Sequence, residues 1–189
     1  MQTLTIQMNR HTNQPDERDW STASLRSLID HLVGTHHAYL RKELPALETL
    51  IAVAMNQPSG ASTIGEVHRL VQHLHRDLEL QMRKEEAILF PAILALEANV
   101  APDGRPDHSQ FGSLKNLAKV TAGSHDQTLR AVEEISRLTN GYTLSSDSGP
   151  GTQAICRRLA VMAADIKRHI FLENEILFPR AASLEGEVQ

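Results

Sequence analysis

Along this chain of 189 residues, apolar positions recur in alternating steps of four and three, the spacing that keeps one face of an α-helix turned inward. One stripe reads Val33, His37, Leu40, Leu44, Leu47 and Ile51, and a second reads Val67, Val71, Leu74, Leu78, Gln81, Glu85 and Ile88. A third follows Leu114, Ala118, Thr121, His125, Thr128, Val132 and Ile135, and a fourth follows Ile155, Leu159, Met162, Ile166, His169, Glu173 and Ile176. Four such stripes predict an all-α protein, an up-down four-helix bundle.

Helix signals set the boundaries. The first helix is expected from near Ser21-Thr22 to about Asn56, where Gln57-Pro58-Ser59-Gly60 ends it. The second opens with Thr63-Ile64-Gly65-Glu66, a capping-box pattern, and runs to about Glu97. After a loop holding Pro102, Gly104 and Pro106, the third spans about Ser109 to Thr139 and stops at Asn140-Gly141. Ser145 to Gly151 connect it to a fourth, from Thr152 to Leu184. Pro45, Pro91 and Pro179 fall inside helices and are expected to kink them, because proline lacks a backbone donor and crowds the preceding turn. The bundle is therefore expected over residues 20–184, with residues 1–19 a loosely ordered tail.

Composition agrees and narrows the function. A hydrophobic share of 41% is enough for a core at this length, and an aromatic share of only 4% favours helices over a sheet. The net charge of −4 leaves no basic stripe for nucleic acid or an anionic membrane. No apolar run is long enough to span a bilayer, and residues 1–19 resemble neither a signal peptide nor an anchor. The single cysteine, Cys156, reads as a small buried hydrophobe and fits a reducing compartment, so a cytoplasmic location is expected.

The polar residues on the inward stripes carry the chemistry. The segment from Gln81 to Pro91 is repeated from His169 to Pro179, and the same 88-residue offset takes His37 to His125. Each half of the chain is a helical hairpin with one plan: a His on its first helix, then a [His or Gln]-x-x-x-Glu pair on its second. Imidazole and carboxylate at this (i, i+4) spacing suit a metal site inside a bundle. Carboxylates on seams of Leu, Ile and Val need compensation, since burying an unpaired charge costs several kcal/mol.

Two arrangements supply it. His37, His125, His169, Glu85 and Glu173 at one level can hold two divalent metals, with iron the first choice for mixed imidazole and carboxylate donors. The same residues can form a metal-free network of His–Glu pairs. The concurrence of three histidines, two glutamates and an internal repeat favours the metal. Pseudo-twofold symmetry places His37 with Gln81 at one metal and His125 with His169 at the other, the glutamates bridging. Gln81, where the repeat would place an imidazole, is either a weak amide ligand or a core residue bonded to Glu85 or to water. His36, His73 and His75 point away from the stripes and are expected to be solvated, as are His11, His31, His68 and His108; Arg83, Lys84 and Glu86 read as a charged outer face. No nucleophile elbow, Cys-x-x-Cys or phosphate-binding glycine loop is present.

With those residues in hand, the chain resembles the hemerythrin-like (HHE) family, and within it the di-iron proteins that repair damaged iron–sulfur clusters, over about residues 19–182. The resemblance lies in Asp19-Trp20-Ser21-Thr22, the run from His36-His37 to Leu44-Pro45, Lys84-Glu85-Glu86 with Leu89-Phe90-Pro91, Ser124-His125-Asp126, and His169 with Leu172-Glu173-Asn174 and Leu177-Phe178-Pro179-Arg180. It implies that His37, Glu85, His125, His169 and Glu173 are ligands of a non-haem di-iron centre bridged by the two glutamates. It further implies a metal-binding repair or sensor protein rather than a conventional enzyme. Such a protein would work under nitrosative or oxidative stress, delivering iron to iron–sulfur proteins or handling oxygen or nitric oxide; the alternative is a degenerate bundle that serves as an interaction module. Three departures from the family's pattern stand out: Gln81 replaces a His, no further His lies near Pro58, and the small domain with paired cysteines that precedes many members is expected to be absent.

Overall fold

The computed structural model describes residues 18–55, 61–99, 114–143 and 150–187. These form four long helices: α1 (residues 25–55), α2 (residues 61–99), α3 (Leu114–Leu138) and α4 (residues 150–187), with no strand among the described residues. Around the bundle α1 packs on α2 and α4, and α3 on the same two, as an up-down ring requires. The expected tail, the three interhelical connections, His11 and His108 lie largely or wholly outside the described residues.

Local chemistry explains the helix ends. Helix α1 starts three residues later than its Ser21-Thr22 signal, because the Asp19 carboxylate accepts the Ser21 N–H at 2.9 Å in a preceding turn while Ser24 caps the helix proper. Its first-turn N–H groups are satisfied from across the bundle. Glu97, near the end of α2, accepts from Leu25 N at 2.7 Å and from Arg26 N at 3.1 Å, a carboxylate at the positive end of a helix. From α4, Arg180 donates to the carbonyls of Trp20 at 2.8 Å and Ala23 at 2.6 Å. Helix α2 already runs at Ala61, so Thr63 and Glu66 lie within its first turns and are not its cap. Helix α3 stops where expected: Asn140, Gly141 and Tyr142 take φ of 50°, 68° and 64°, and Gly141 N–H returns to Ser136 O at 2.8 Å.

Three of the helices widen locally into a π turn, at Leu32–His37, Glu85–Leu89 and Leu172–Leu177. Each turn holds one residue more than an α-helical turn would, so the inward register slips by one at that point. The buried residues are therefore Leu32, Leu89 and Leu177, whereas the periodicity marked Val33, Ile88 and Ile176 as inward; Ile88 is 45% exposed. The π turns also accommodate two of the prolines. Phe90 N–H bonds Glu85 O and Phe178 N–H bonds Glu173 O, both five residues back, immediately before Pro91 and Pro179. Pro45 lies within the continuous segment Ala38–Met55.

The core has two apolar parts with a polar layer between them. Leu40 to Ile51, Val67 to Met82, Val132, Ile135 and Ile155 to Ile170 form one part; Trp20 to Leu32, Leu89 to Leu96, Leu114 and Leu172 to Ala181 form the other. In every helix the polar residues of the layer fall at the change from one part to the other. Cys156 is buried, as expected.

Candidate metal centre

His37, Glu85, His125, His169 and Glu173 meet in this layer, each between 0 and 1% exposed. The π turns supply or adjoin most of them. His37 ends the first, Glu85 opens the second and Glu173 is the second residue of the third, while His125 comes from the unbroken α3.

The two carboxylates divide the layer. Glu85 Oε2 lies 3.5 Å from His37 Nε2, and Glu173 Oε1 lies 3.1 Å from His169 Nε2 and 4.0 Å from His37 Nε2. The other oxygens face α3: Glu85 Oε1 is 3.6 Å and Glu173 Oε2 is 3.0 Å from His125 Nε2. Each carboxylate thus presents one oxygen to either side, the disposition of a bridging ligand pair.

The pairing of the imidazoles differs from the symmetric expectation. His37 and His169 belong together, with Nε2 atoms 3.1 Å apart, and Gln81 lies on the His125 side, donating from Nε2 to Glu85 Oε1 at 3.0 Å. The reason is the ring order of the helices. Helix α1 borders α4, whose His169 meets His37, and α2 borders α3, which carries His125. Gln81 thus makes the hydrogen bond to Glu85 that its reading as a core residue expects.

Supporting residues follow the same 88-residue offset. His37 Nδ1 lies 2.7 Å from Glu86 Oε1, and His125 Nδ1 lies 2.8 Å from Asn174 Oδ1. The His37 ring stacks on Phe90 at 5.8 Å and the His125 ring on Phe178 at 6.1 Å. An acceptor at Nδ1 fixes the tautomer and aims Nε2 into the layer, the usual support for a metal-ligating His. Glu86 is therefore part of the centre and not of an outer face; Arg41 donates to it at 2.8 Å. His36 is likewise no solvated residue. It is buried, its Nδ1 is 2.9 Å from Asp165 Oδ1, and its ring lies parallel to His169 at 5.8 Å. His31 stacks on Trp20 at 4.4 Å, and His75 bonds Glu48 at 2.7 Å; His73 is exposed, as expected. The repeat itself was the signal for Glu86, Asn174, Phe90 and Phe178, since each pair is related by the offset that joins His37 to His125. For His36 and Asp165 no such signal exists.

Burial and proximity set the charges. Desolvation, aided by the neighbouring His169, drives the pKa of His37 down to about 4 despite Glu86. Desolvation opposes charge on His125 too, but the Glu173 and Glu85 carboxylates overcome it and lift its pKa to about 10. His169 is raised in the same way against its burial, chiefly by Glu173. Burial raises Glu85, with the adjacent Glu173 charge adding to it. Glu173 is held low, its own burial outweighed by His169 and His125.

These residues fit a divalent cation. The donor atoms of His37, Glu85, His169 and Glu173 lie within 4.8 Å of one another. Glu85 Oε2, both oxygens of Glu173 and His125 Nε2 make no hydrogen bond, although all are buried. Carboxylate oxygens and imidazole nitrogens that converge on one another in an apolar core are the donor set of a metal, and imidazole with carboxylate suits iron.

Comparison with known proteins agrees. The family described as Hemerythrin HHE cation binding domain matches residues 28–181. The iron-sulfur cluster repair protein YtfE of Citrobacter koseri is 30% identical over 194 residues, covering 99% of this chain and 79% of its own length. The proteins of that name from Escherichia coli and Escherichia fergusonii are both 29% identical over 191 residues, covering 97% of this chain and 77% of theirs. No described helix is long and apolar enough to cross a membrane.

Proposed function

We propose that this chain, which belongs to the hemerythrin HHE cation-binding family, holds iron through His37, Glu85, His125, His169 and Glu173 and serves the repair of iron–sulfur clusters by giving iron up. The observation that carries this reading is the pair of buried carboxylates, each turning one oxygen to His37 and His169 and the other to His125. Bound there, iron supplies the cargo for cluster repair and an affinity for small diatomic ligands. The protein's residues supply the rest. Glu86 and Asn174 hold the imidazoles in register, and the two apolar halves of the core keep bulk water from the layer.

The setting is nitrosative or oxidative stress in the cytoplasm, and the recipients are iron–sulfur proteins that have lost iron. A second reading, reversible binding of oxygen or nitric oxide, draws on Gln81, which leaves one side of the layer short of an imidazole and so open to a small ligand. Anaerobic loading with ferrous iron, followed by transfer to an apo-protein that rebuilds its cluster, tests the main reading. Rebuilding in step with iron lost from this chain is the expected result. New absorption bands on adding nitric oxide, with no loss of iron and no rebuilding, would favour the second.

A further inference from the structure

The two sides of the layer do not offer equal donor sets. On the α1–α4 side, His37 Nε2 and His169 Nε2 stand 3.1 Å apart and face Glu85 Oε2 and Glu173 Oε1, four donors from four residues. On the α2–α3 side only one imidazole among the described residues, His125, faces the remaining carboxylate oxygens. The place that pairs with it belongs to Gln81. Its amide nitrogen is spent on Glu85 Oε1, so the residue brings no imidazole and also engages the oxygen that an ion on this side would use. A neutral amide is a poor ligand for a transition metal, and here the donor atom turned to the layer is a hydrogen-bond donor.

We infer that the two metal positions are unequal: the His37/His169 position retains its ion, and the His125/Gln81 position holds a second ion loosely and exchanges it. The inference rests on the proposal that iron occupies this layer. Under it the labile ion is the one handed on, and the retained ion stays with both carboxylates as a structural partner. Exchange then proceeds without exposing the whole buried layer, whose carboxylates remain partly neutralised throughout.

The test is an anaerobic titration of the metal-free full chain with cobalt(II), followed by its visible absorption and by competition with a chelator, and repeated with ferrous iron. Wild type is expected to take up one equivalent, then a second only at free metal on the order of tenfold higher or more, since losing even a supporting partner of a ligand typically costs that much. Gln81→His is expected to draw the second step toward the first. His125→Gln is expected to abolish the weak step and leave the tight one, and His37→Gln to do the reverse. Two equal steps in wild type, unchanged in Gln81→His, would overturn the inequality while leaving iron binding intact. Loss of the tight step in a helical His125→Gln would overturn the assignment of the two sides. Should His125→Gln fail to fold, Gln81→His decides alone, because it adds a ligand and removes none. No metal in either wild type or Gln81→His, with helicity preserved, would overturn the iron reading itself.

Discussion

His37 and His169, 132 residues apart in the chain, meet Nε2 to Nε2 at 3.1 Å. Two imidazole nitrogens at that distance share either a proton or an ion. In the metal-free protein burial and the neighbouring His169 disfavour charge on His37, while Glu173 overcomes the burial of His169 and favours its charge, so a proton on His169 Nε2 has both His37 Nε2 and Glu173 Oε1 as acceptors. His125 is held charged by Glu173 and Glu85 on the other side.

Metal uptake therefore displaces protons. Each ion entering near neutral pH is expected to release about one proton, from His169 or from His125, because ligating imidazoles must be neutral. Apparent affinity should consequently fall as pH falls. Following an indicator dye in weakly buffered solution during the metal titration measures this directly. Uptake with no acidification would mean that His169 and His125 are not charged in the metal-free protein or do not bind the ion.

Glu173 touches both sides of the layer, with Oε1 toward His169 and Oε2 toward His125. Glu173→Ala is expected to lose both ions. It should also destabilise the metal-free protein by about 3–5 kcal/mol, the usual cost of stranding buried charges without their partner. Elemental analysis and urea unfolding check the two effects separately. Retention of a full metal complement by this variant would remove Glu173 from the ligand set.

The His36–Asp165 pair lies behind His169, with the His36 ring parallel to it at 5.8 Å. Both residues are buried and bond each other, and the contact His36 makes with the centre is through the His169 ring, so the role expected of the pair is to position His169. His36→Leu is expected to weaken retention of the tight ion by about tenfold, the scale seen for supporting groups of metal ligands, with little loss of helicity. The cobalt(II) spectrum distinguishes positioning from mere stability. Its bands should shift in the variant, whereas a purely structural role would lower the melting temperature and leave the spectrum unchanged.

How much of this was legible beforehand depends on the period of the helix. The four stripes and the five residues that meet in the polar layer could be read because 3.6-residue geometry holds over most of each helix, and because the 88-residue offset links His37 with His125 and Glu85 with Glu173. The π turns broke the reading locally. The periodicity points to Ile88 as inward, yet Leu89 is buried, since nothing in Glu85-Glu86-Ala87-Ile88-Leu89 announces an extra residue in the turn except the Pro91 that follows. The pairing of His37 with His169 was likewise hidden, because symmetry in sequence does not say which neighbouring helix a side chain turns to. His36 illustrates a third limit: a residue off the stripe by 100° can still be buried when a partner such as Asp165 projects from the adjacent helix.

Stability of the metal-free protein against pH depends on His37 and His125, which pull in opposite directions. The folded-state pKa of His125, about 10, lies above its ordinary 6.5, so its contribution is complete below 6.5 and is lost as pH rises through 10. His37, at about 4 against an ordinary 6.5, resists the proton that the unfolded chain accepts, so stability falls as pH drops from 6.5 through 4. Glu173, held low against its burial by His169 and His125, adds to the acid side. Each arm amounts to a few kcal/mol at most, at about 1.4 kcal/mol for every tenfold change in proton affinity. Urea midpoints of the metal-free protein should accordingly peak near 6.5. His125→Gln should flatten the alkaline arm and His37→Gln should shrink the acid arm. A midpoint that rises steadily from 6.5 to 10 in wild type would show that His125 is not held charged by the two carboxylates.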